Sequence, residues 1–252
     1  MVFSYQDVVK EFPGQSHSRL RRTLAIMVEN GMLCKLTRNI YNVVPLGADP
    51  ECYEPDGCVV AKYIMQTEKY YIGYTSALRI HGLSSQDSAK VYVVTEKPMK
   101  PAVRVIRGTT YQFISHHSDR IFGYRDIWIN QQDQVKVSDL EKTIADMASN
   151  PSPLGSIIEL GRAILKARYR TDYDKLFYYL ARNGNRSAIK RYLYLVDLLC
   201  LEWSSGHELM MKELGTWTSL LDPKGNKHGR NVAKFGLKIN VDPKVMKKGV
   251  LQ

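Results

Sequence analysis

The chain has 252 residues, 44% of them hydrophobic, which is enough to fill ordinary cores and build two domains without disulfide or metal staples. Its 36 lysines and arginines outnumber 25 acidic residues, and the net charge of +11 points to a polyanionic partner, nucleic acid before an anionic membrane surface. No run approaches about 18 apolar residues and no charged-then-apolar leader opens the chain, which argues against a helical membrane span or a secretory route, so a soluble, cytoplasmic protein is expected.

Ser4 and Asp7 stand at the N-cap and N3 positions of a first short helix, an acidic form of the capping box, with Phe3 and Val8 as its hydrophobic staple. Val8, Val9 and Phe12 are expected to face inward, and Pro13-Gly14 ends the helix. A second helix follows within residues 16–30. Leu20, Leu24, Met27 and Val28 recur at helical spacing and form its core face, while Ser18, Arg19, Arg22, Ala25, Ile26 and Glu29 collect on the opposite face, flanked by Arg21 and Thr23. Gly31 supplies a left-handed cap. Residues 32–36 and 40–44 read as a hairpin with Lys35, Thr37, Arg38 and Asn39 at its tip and Tyr41 in the core. Arg38-Asn39 suits a two-residue turn because asparagine tolerates positive φ. Helix, turn, helix and basic hairpin outline a winged helix-turn-helix over residues 1–45. Such a module normally carries a further leading helix, so this one is expected to be either trimmed or completed by another segment.

Residues 46–57 are acidic and rich in proline and glycine, and read as a linker between domains. The second domain, residues 58–252, opens with helices at 58–66 and 75–80, the latter stopped by His81-Gly82. From Lys90 the period changes to two, through Val91, Val93, Thr95, Val103, Val105, Tyr111, Phe113, Ile127, Ile129, Val135 and Val137, predicting a mixed or mostly antiparallel sheet. Ser138 to Glu141 forms an S-x-x-E capping box for a helix whose inward stripe is Leu140, Ile144, Met147 and Ala148. Further helices are expected at 154–167, 173–182, 187–200 and 208–214, with no fixed repeat period, and residues 233–241 alternate as a strand returning to the sheet. The fold class is therefore α+β: an N-terminal winged helix-turn-helix followed by a mixed-sheet and helical domain.

The charge is uneven. Residues 1–45 hold six basic side chains against three acidic ones, residues 162–191 nine against two, and residues 224–248 eight against one. The plain reading is solvated helix faces and a basic tail. The sharper reading is a second phosphate-contacting surface formed by Arg186, Lys190, Arg191, Lys247 and Lys248, in which each neutralised phosphate adds about 0.9 to the salt slope of binding.

Four segments in order, RRTLAIMVENGMLCKLTRNIY, YIGYTSALRIHGL, VKVSDLEKTIADM and LLDPKGNKHGRNVAKFGLKINV, resemble the AbiEi-type antitoxins, transcriptional regulators of bacterial and archaeal abortive-infection toxin–antitoxin pairs. The resemblance implies a DNA-binding repressor of its own operon, serving antiviral defence as the antitoxin of a type IV (AbiE-like) system. It also implies a nucleotidyltransferase-like toxin as functional partner, counteracted without a stable complex. In this chain Arg38-Asn39 stands where the family usually has Arg-Gly before the strand tyrosine.

Within the module, Arg19 and Arg22 are the candidate base readers, and Ser16, Ser18 and Arg21, with Thr23 beside them, the candidate phosphate contacts at a helix N-terminus. Lys35, Thr37, Arg38 and Asn39 form the wing. The expected ligand is double-stranded DNA with an inverted repeat, bound by a monomer or dimer, with no membrane partner. The alternative is a metal-dependent nucleic-acid-processing enzyme, because Asp139, Glu141, Lys142 and Asp146 combine paired carboxylates with a lysine. Against it, Glu141 already serves as the N3 partner of Ser138, and Lys142 follows it directly. Cys34, Cys52, Cys58 and Cys200 make no CxxC or zinc spacing, and His116-His117 has no partner at a defined spacing. No catalytic residue, metal or cofactor is therefore assigned.

Overall fold

A computed structural model describes the chain apart from residues 67, 85–89, 155 and 252 and the side chain of Leu154. The elements begin with β1 (Val2–Ser4), α1 (Tyr5–Glu11), α2 (His17–Glu29), β2 (Leu33–Thr37), β3 (Ile40–Val43), α3 (Gly57–Met65), β4 (Tyr70–Ile72) and α4 (Tyr74–Ile80). Next come β5 (Lys90–Thr95), β6 (Val103–Ile106), β7 (Thr109–Ser115), β8 (Tyr124–Trp128), β9 (Gln134–Ser138), α5 (Leu140–Ser149), α6 (Ile157–Ala167) and α7 (Tyr173–Arg182). The chain ends through α8 (Arg186–Leu198), α9 (Ser205–Lys212), β10 (Ser219–Leu220), β11 (Arg230–Val232), β12 (Leu237–Ile239) and α10 (Pro243–Leu251). This is an α+β fold in two compact units. One comprises Met1–Ile72, Asp87–His116 and Asp126–Lys136; the other comprises Gly73–Gln86, His117–Arg125 and Val137–Gln252.

In the first unit Ser4 caps α1 as expected: its hydroxyl and amide donate to Asp7 Oδ2 at 2.7 and 2.8 Å, and its Oγ accepts from Asp7 N at 3.2 Å. Val2–Ser4, too short to show alternation, pair antiparallel with β3, giving a three-stranded sheet in the order β1-β3-β2. Tyr5, Leu20, Leu24, Leu33 and Tyr41 form the core beneath these elements, with Phe3, Val8, Val9, Met27, Val28 and Val43 packed on it. Burying a leucine such as Leu20 or Leu24 contributes about 2 kcal/mol. Phe12 departs from expectation and is 53% exposed. It sits at the C-cap with φ −121° and ψ 63°, off the helical path, so its side chain leaves the stripe of Val8 and Val9.

Gly31 closes α2 at φ +69°, with its amide donating to Val28 O and that of Met32 to Met27 O, both at 3.0 Å. These are the two bonds of a Schellman cap. The hairpin differs from expectation at its tip, since neither Arg38 nor Asn39 takes a positive φ. Instead the pairing slips between Lys35 and Thr37, leaving Leu36 as an extra residue. That bulge supplies the twist that would otherwise demand a primed turn. A primed geometry does occur between β6 and β7, where Arg107 and Gly108 have φ of +47° and +78°.

Asp56 caps α3 by accepting from Cys58 N and Val59 N at 2.8 and 3.0 Å. Gly57 begins the helix where an added Cβ would stand 2.8 Å from Val91 Cγ2. Cys58, Val59, Val60, Ala61 and Met65 are all buried, because α3 packs on both β1 and β5. The segment 46–57 lies within this unit. Arg107 ties it down by donating to the carbonyls of Pro50 and Glu51, the latter at 3.2 Å. The larger sheet is mixed, in the order β6-β7-β5-β4-β9-β8, with β5 parallel to β7 and antiparallel to β4. Residues 91–95 are buried throughout, so the central strand does not have one wet face.

In the second unit α4 ends at His81, whose Nε2 donates to Ser138 O at 2.8 Å, with Gly82 following at φ +70°. The Ser138–Glu141 capping box does not form. Ser138 remains in β9 with its hydroxyl 2.7 Å from Thr143 Oγ1, and Asp139 caps α5 by accepting from Lys142 N at 2.8 Å. The cap moves by one residue because Ser138 is held by the strand. Helix α6 starts at Ile157; the expected start at Leu154 runs through Gly155, outside the described residues. Residues 233–241 do not return to the large sheet. A turn at Phe235-Gly236, with Gly236 at φ +59°, splits them, and β12 pairs parallel to β10 and antiparallel to β11 in a separate sheet.

Candidate nucleic-acid interface

The periodicity that buries Leu20 and Leu24 turns the rest of α2 outward. Ser16, Ser18, Arg19, Arg21, Arg22 and Thr23 are all exposed, as are Lys35, Arg38 and Asn39 on the hairpin, while Thr37 is half-buried. Ser16 is also the helix cap, its Oγ accepting from Arg19 N at 3.4 Å and lying 3.2 Å from Ser18 Oγ. Arg19, Arg22, Lys35 and Arg38 have no ion-pair partner among the described residues, so their charge is directed to solvent. Backbone amides of the first turn of α2 add the positive end of the helix dipole.

Arg21 differs from its neighbours. Its guanidinium lies 4.2 Å from the centroid of the Tyr5 ring, and Tyr5 Oη in turn lies 2.8 Å from His17 Nδ1 and donates to His17 O at 3.3 Å. Tyr5 thereby fixes the first turn of α2 and aims Arg21 along the hairpin side. The signal in the sequence is only a tyrosine twelve residues before a histidine, and sequence reasoning passed over both. Between α2 and the hairpin a cleft of about 420 Å³ is bordered by Arg21, Glu29, Lys35 and Arg38, over a floor of Ala25, Val28 and Tyr41. Three cations against one carboxylate make its rim electropositive. Tyr41 is buried as expected and stacks on Phe3 at 5.7 Å.

The secondary basic set divides. Arg186, Lys247 and Lys248 are exposed in the second unit. Lys190 and Arg191 are not available to DNA, with 0% and 6% of their surfaces exposed. Lys190 donates to the Trp217 carbonyl, and Arg191 to those of Leu221, Ala148 and Leu220 at 3.0, 2.9 and 3.3 Å. Burial pulls the Arg191 guanidinium down to about 10, leaving it charged at neutral pH. The cause is burial: this side of α8 is surrounded, and Lys190 and Arg191 saturate carbonyls that its neighbours leave open.

The carboxylate set of α5 is brought together with cations. Lys142 and Asp146 form a buried pair at 2.6 Å, with Asn183 Oδ1 accepting from Lys142 at 3.1 Å and the Phe122 ring 4.2 Å away. Lys175 bridges Asp139 and Glu141 at 2.9 and 3.1 Å. Partial burial opposes its charge, yet the hydrogen bonds and charges of those two carboxylates outweigh it and raise the ammonium above its usual range. Glu141, expected as a capping partner, instead accepts from Asp172 N at 3.0 Å. Among the described residues no group of three or more His, Cys, Asp or Glu side chains is arranged to hold a metal ion. No described helix is long and apolar enough to cross a membrane.

No family model matches the chain, and no curated protein matches it. Among solved structures it is similar to the crystal structure of the RV2827C protein from Mycobacterium tuberculosis, with a TM-score of 0.67 and 12% identity, covering 100% of this chain and 88% of that one. At that identity the likeness speaks for the fold alone.

Proposed function

We propose that the chain is a sequence-specific DNA-binding repressor that autoregulates its operon through a winged helix-turn-helix formed by β1, α1, α2, β2 and β3. The observation that carries this reading is the outward face of α2, with Arg19 and Arg22 unpaired among the described residues, next to a hairpin bearing Lys35 and Arg38. In this reading Arg19 and Arg22 read base edges in the major groove. Ser18, Thr23 and the first-turn amides contact phosphate, with Ser16 capping them. Arg21, Lys35 and Arg38 grip the flanking backbone, with Thr37 and Asn39 at the wing tip. Arg186, Lys247 and Lys248 are the remaining secondary phosphate contacts. In this reading α3, which packs on β1, takes the place of a leading helix.

The wider role is the one the AbiEi-type resemblance supports: antitoxin of a type IV pair, acting in the cytoplasm against a nucleotidyltransferase-like toxin without a stable complex. Two experiments test these layers separately. A promoter–reporter fusion should be repressed by the intact chain and released by Arg19→Ala with Arg22→Ala; equal repression by both proteins would remove the DNA reading. Co-expression with the product of the adjacent gene should relieve that product's toxicity, and unrelieved toxicity would remove the antitoxin role while leaving DNA binding intact.

A further inference from the structure

The second unit contains a cavity that DNA binding does not use. About 460 Å³ in volume, it is lined by Arg168, Tyr169, Tyr173, Glu202, Trp203 and Ser204, with Cys200, Leu201 and His207 completing it. That volume falls within the range of small-molecule sites. Its back wall is aromatic. His207 is 1% exposed and accepts from Ser204 N through Nδ1 at 2.9 Å. Around it stand the rings of Tyr173, Phe177, Tyr192 and Trp203, with centroids at 5.7, 4.9, 5.8 and 5.5 Å. Tyr173 is fixed further by donating to Arg168 O at 2.9 Å. At the edge, Cys200 holds a φ of +53°, a conformation costly for a residue with a Cβ.

The charges around this aromatic wall decide what it suits. The Arg168 guanidinium lies 4.3 Å from the Tyr169 ring centroid, Lys234 Nζ lies 5.3 Å from that of Trp203, and Lys247 Nζ is 3.9 Å from Cys200 Sγ. Aromatic pockets often take alkylammonium groups, but here the Arg168 guanidinium already lies over the Tyr169 ring and Lys234, itself paired with Asp197 at 2.7 Å, over the Trp203 ring, so those faces are not open to a cationic guest. An anionic guest would be drawn in. The Arg168 guanidinium, lying over Tyr169, also offers a flat platform of the kind on which nucleobases stack, with the Trp203 indole in the same lining. Glu202, the carboxylate in the lining, is an acceptor for an amino group on such a ring.

We infer that this cavity binds a nucleoside monophosphate, its base stacked on the Tyr169–Arg168 pair beside Trp203, its phosphate drawn to Arg168. The inference stands apart from the DNA-binding reading and is tested without DNA. Titration calorimetry of the full chain with the adenosine, guanosine, cytidine and uridine 5′-monophosphates should give saturable binding by at least one, at about 1 mM or tighter. The parent nucleoside and ribose 5-phosphate should each bind about tenfold more weakly, since each lacks one half of the recognition. Trp203→Ala should lower affinity about tenfold, and so should Arg168→Gln, whose side-chain amide can still donate to Leu165 O, the carbonyl that the guanidinium bonds at 2.6 Å. Failure of all four nucleotides to bind, equal affinity for ribose 5-phosphate, or undiminished binding by both variants would overturn the inference. A single-stranded RNA trinucleotide that binds while every mononucleotide fails would overturn it too, in favour of a strand-binding groove.

Discussion

Replacing Arg22 by alanine removes an exposed guanidinium from the middle of the outer face of α2 without touching the core formed by Leu20 and Leu24. Stability should therefore stay within about 0.5 kcal/mol of the parent. If the side chain reads a guanine bidentately, its loss costs about 1–3 kcal/mol of specific binding, a roughly 5- to 150-fold weaker affinity for the operator. Arg21 is the internal comparison. Its guanidinium is 4.2 Å from the Tyr5 ring centroid, so Arg21→Ala should lower unfolding free energy by about 0.5–1 kcal/mol and weaken all DNA sequences alike. Fluorescence anisotropy with promoter and scrambled duplexes at one salt concentration, alongside urea denaturation, separates the two patterns. Arg22→Ala with the parental affinity and the parental ratio between duplexes would refute the assignment of α2 as the reading helix.

Leu24→Ala should destabilise the first unit by about 2–5 kcal/mol in urea denaturation, and a loss below about 1 kcal/mol would mean that the face of α2 is misassigned. Lys142→Met leaves the buried Asp146 carboxylate without its ammonium and should cost about 3–5 kcal/mol, part of it recovered by adding Asp146→Leu; a double variant no more stable than the single one would count against that account. Burial holds the His81 and His207 imidazoles below the ordinary value of 6.5. Between the folded and unfolded values the unfolded chain binds more protons, so their contribution is complete above 6.5 and is lost as pH falls through the folded values. The thermal midpoint should drop on acidification, and His207→Gln should flatten the drop; an unchanged slope would show that His207 does not titrate in this way. Lys247→Ala with Lys248→Ala should lower the salt slope of DNA binding by at most about 0.9 for each phosphate these lysines neutralise, whereas a parental slope would remove the tail from the interface.

What was legible in the sequence was what local chemistry decides. The Ser4–Asp7 box, the Leu20–Leu24 stripe and the Gly31 cap act within one or two turns, and all three form. The exposure of Arg19 and Arg22 followed from the same periodicity. Illegible features depend on distant partners. Lys190 and Arg191 look like surface cations until the carbonyls of Ala148, Trp217, Leu220 and Leu221 arrive from elsewhere in the chain. Ser138 has the right spacing for a cap but is claimed by β9, so the neighbouring aspartate takes over. Strands of three residues, such as β1 and β4, are too short to display a period. The bulge at Leu36 hides a turn that composition alone assigns to a different class.

Metal-independent, sequence-specific recognition of DNA by α2 and its hairpin is tested by quantitative footprinting of the full chain on the DNA upstream of its own gene, in EDTA at near-physiological salt. Protection of an inverted repeat is expected, with affinity at least about 10³-fold tighter than for a scrambled duplex. Equal affinity for the two duplexes, or magnesium-dependent cleavage in place of protection, would contradict it.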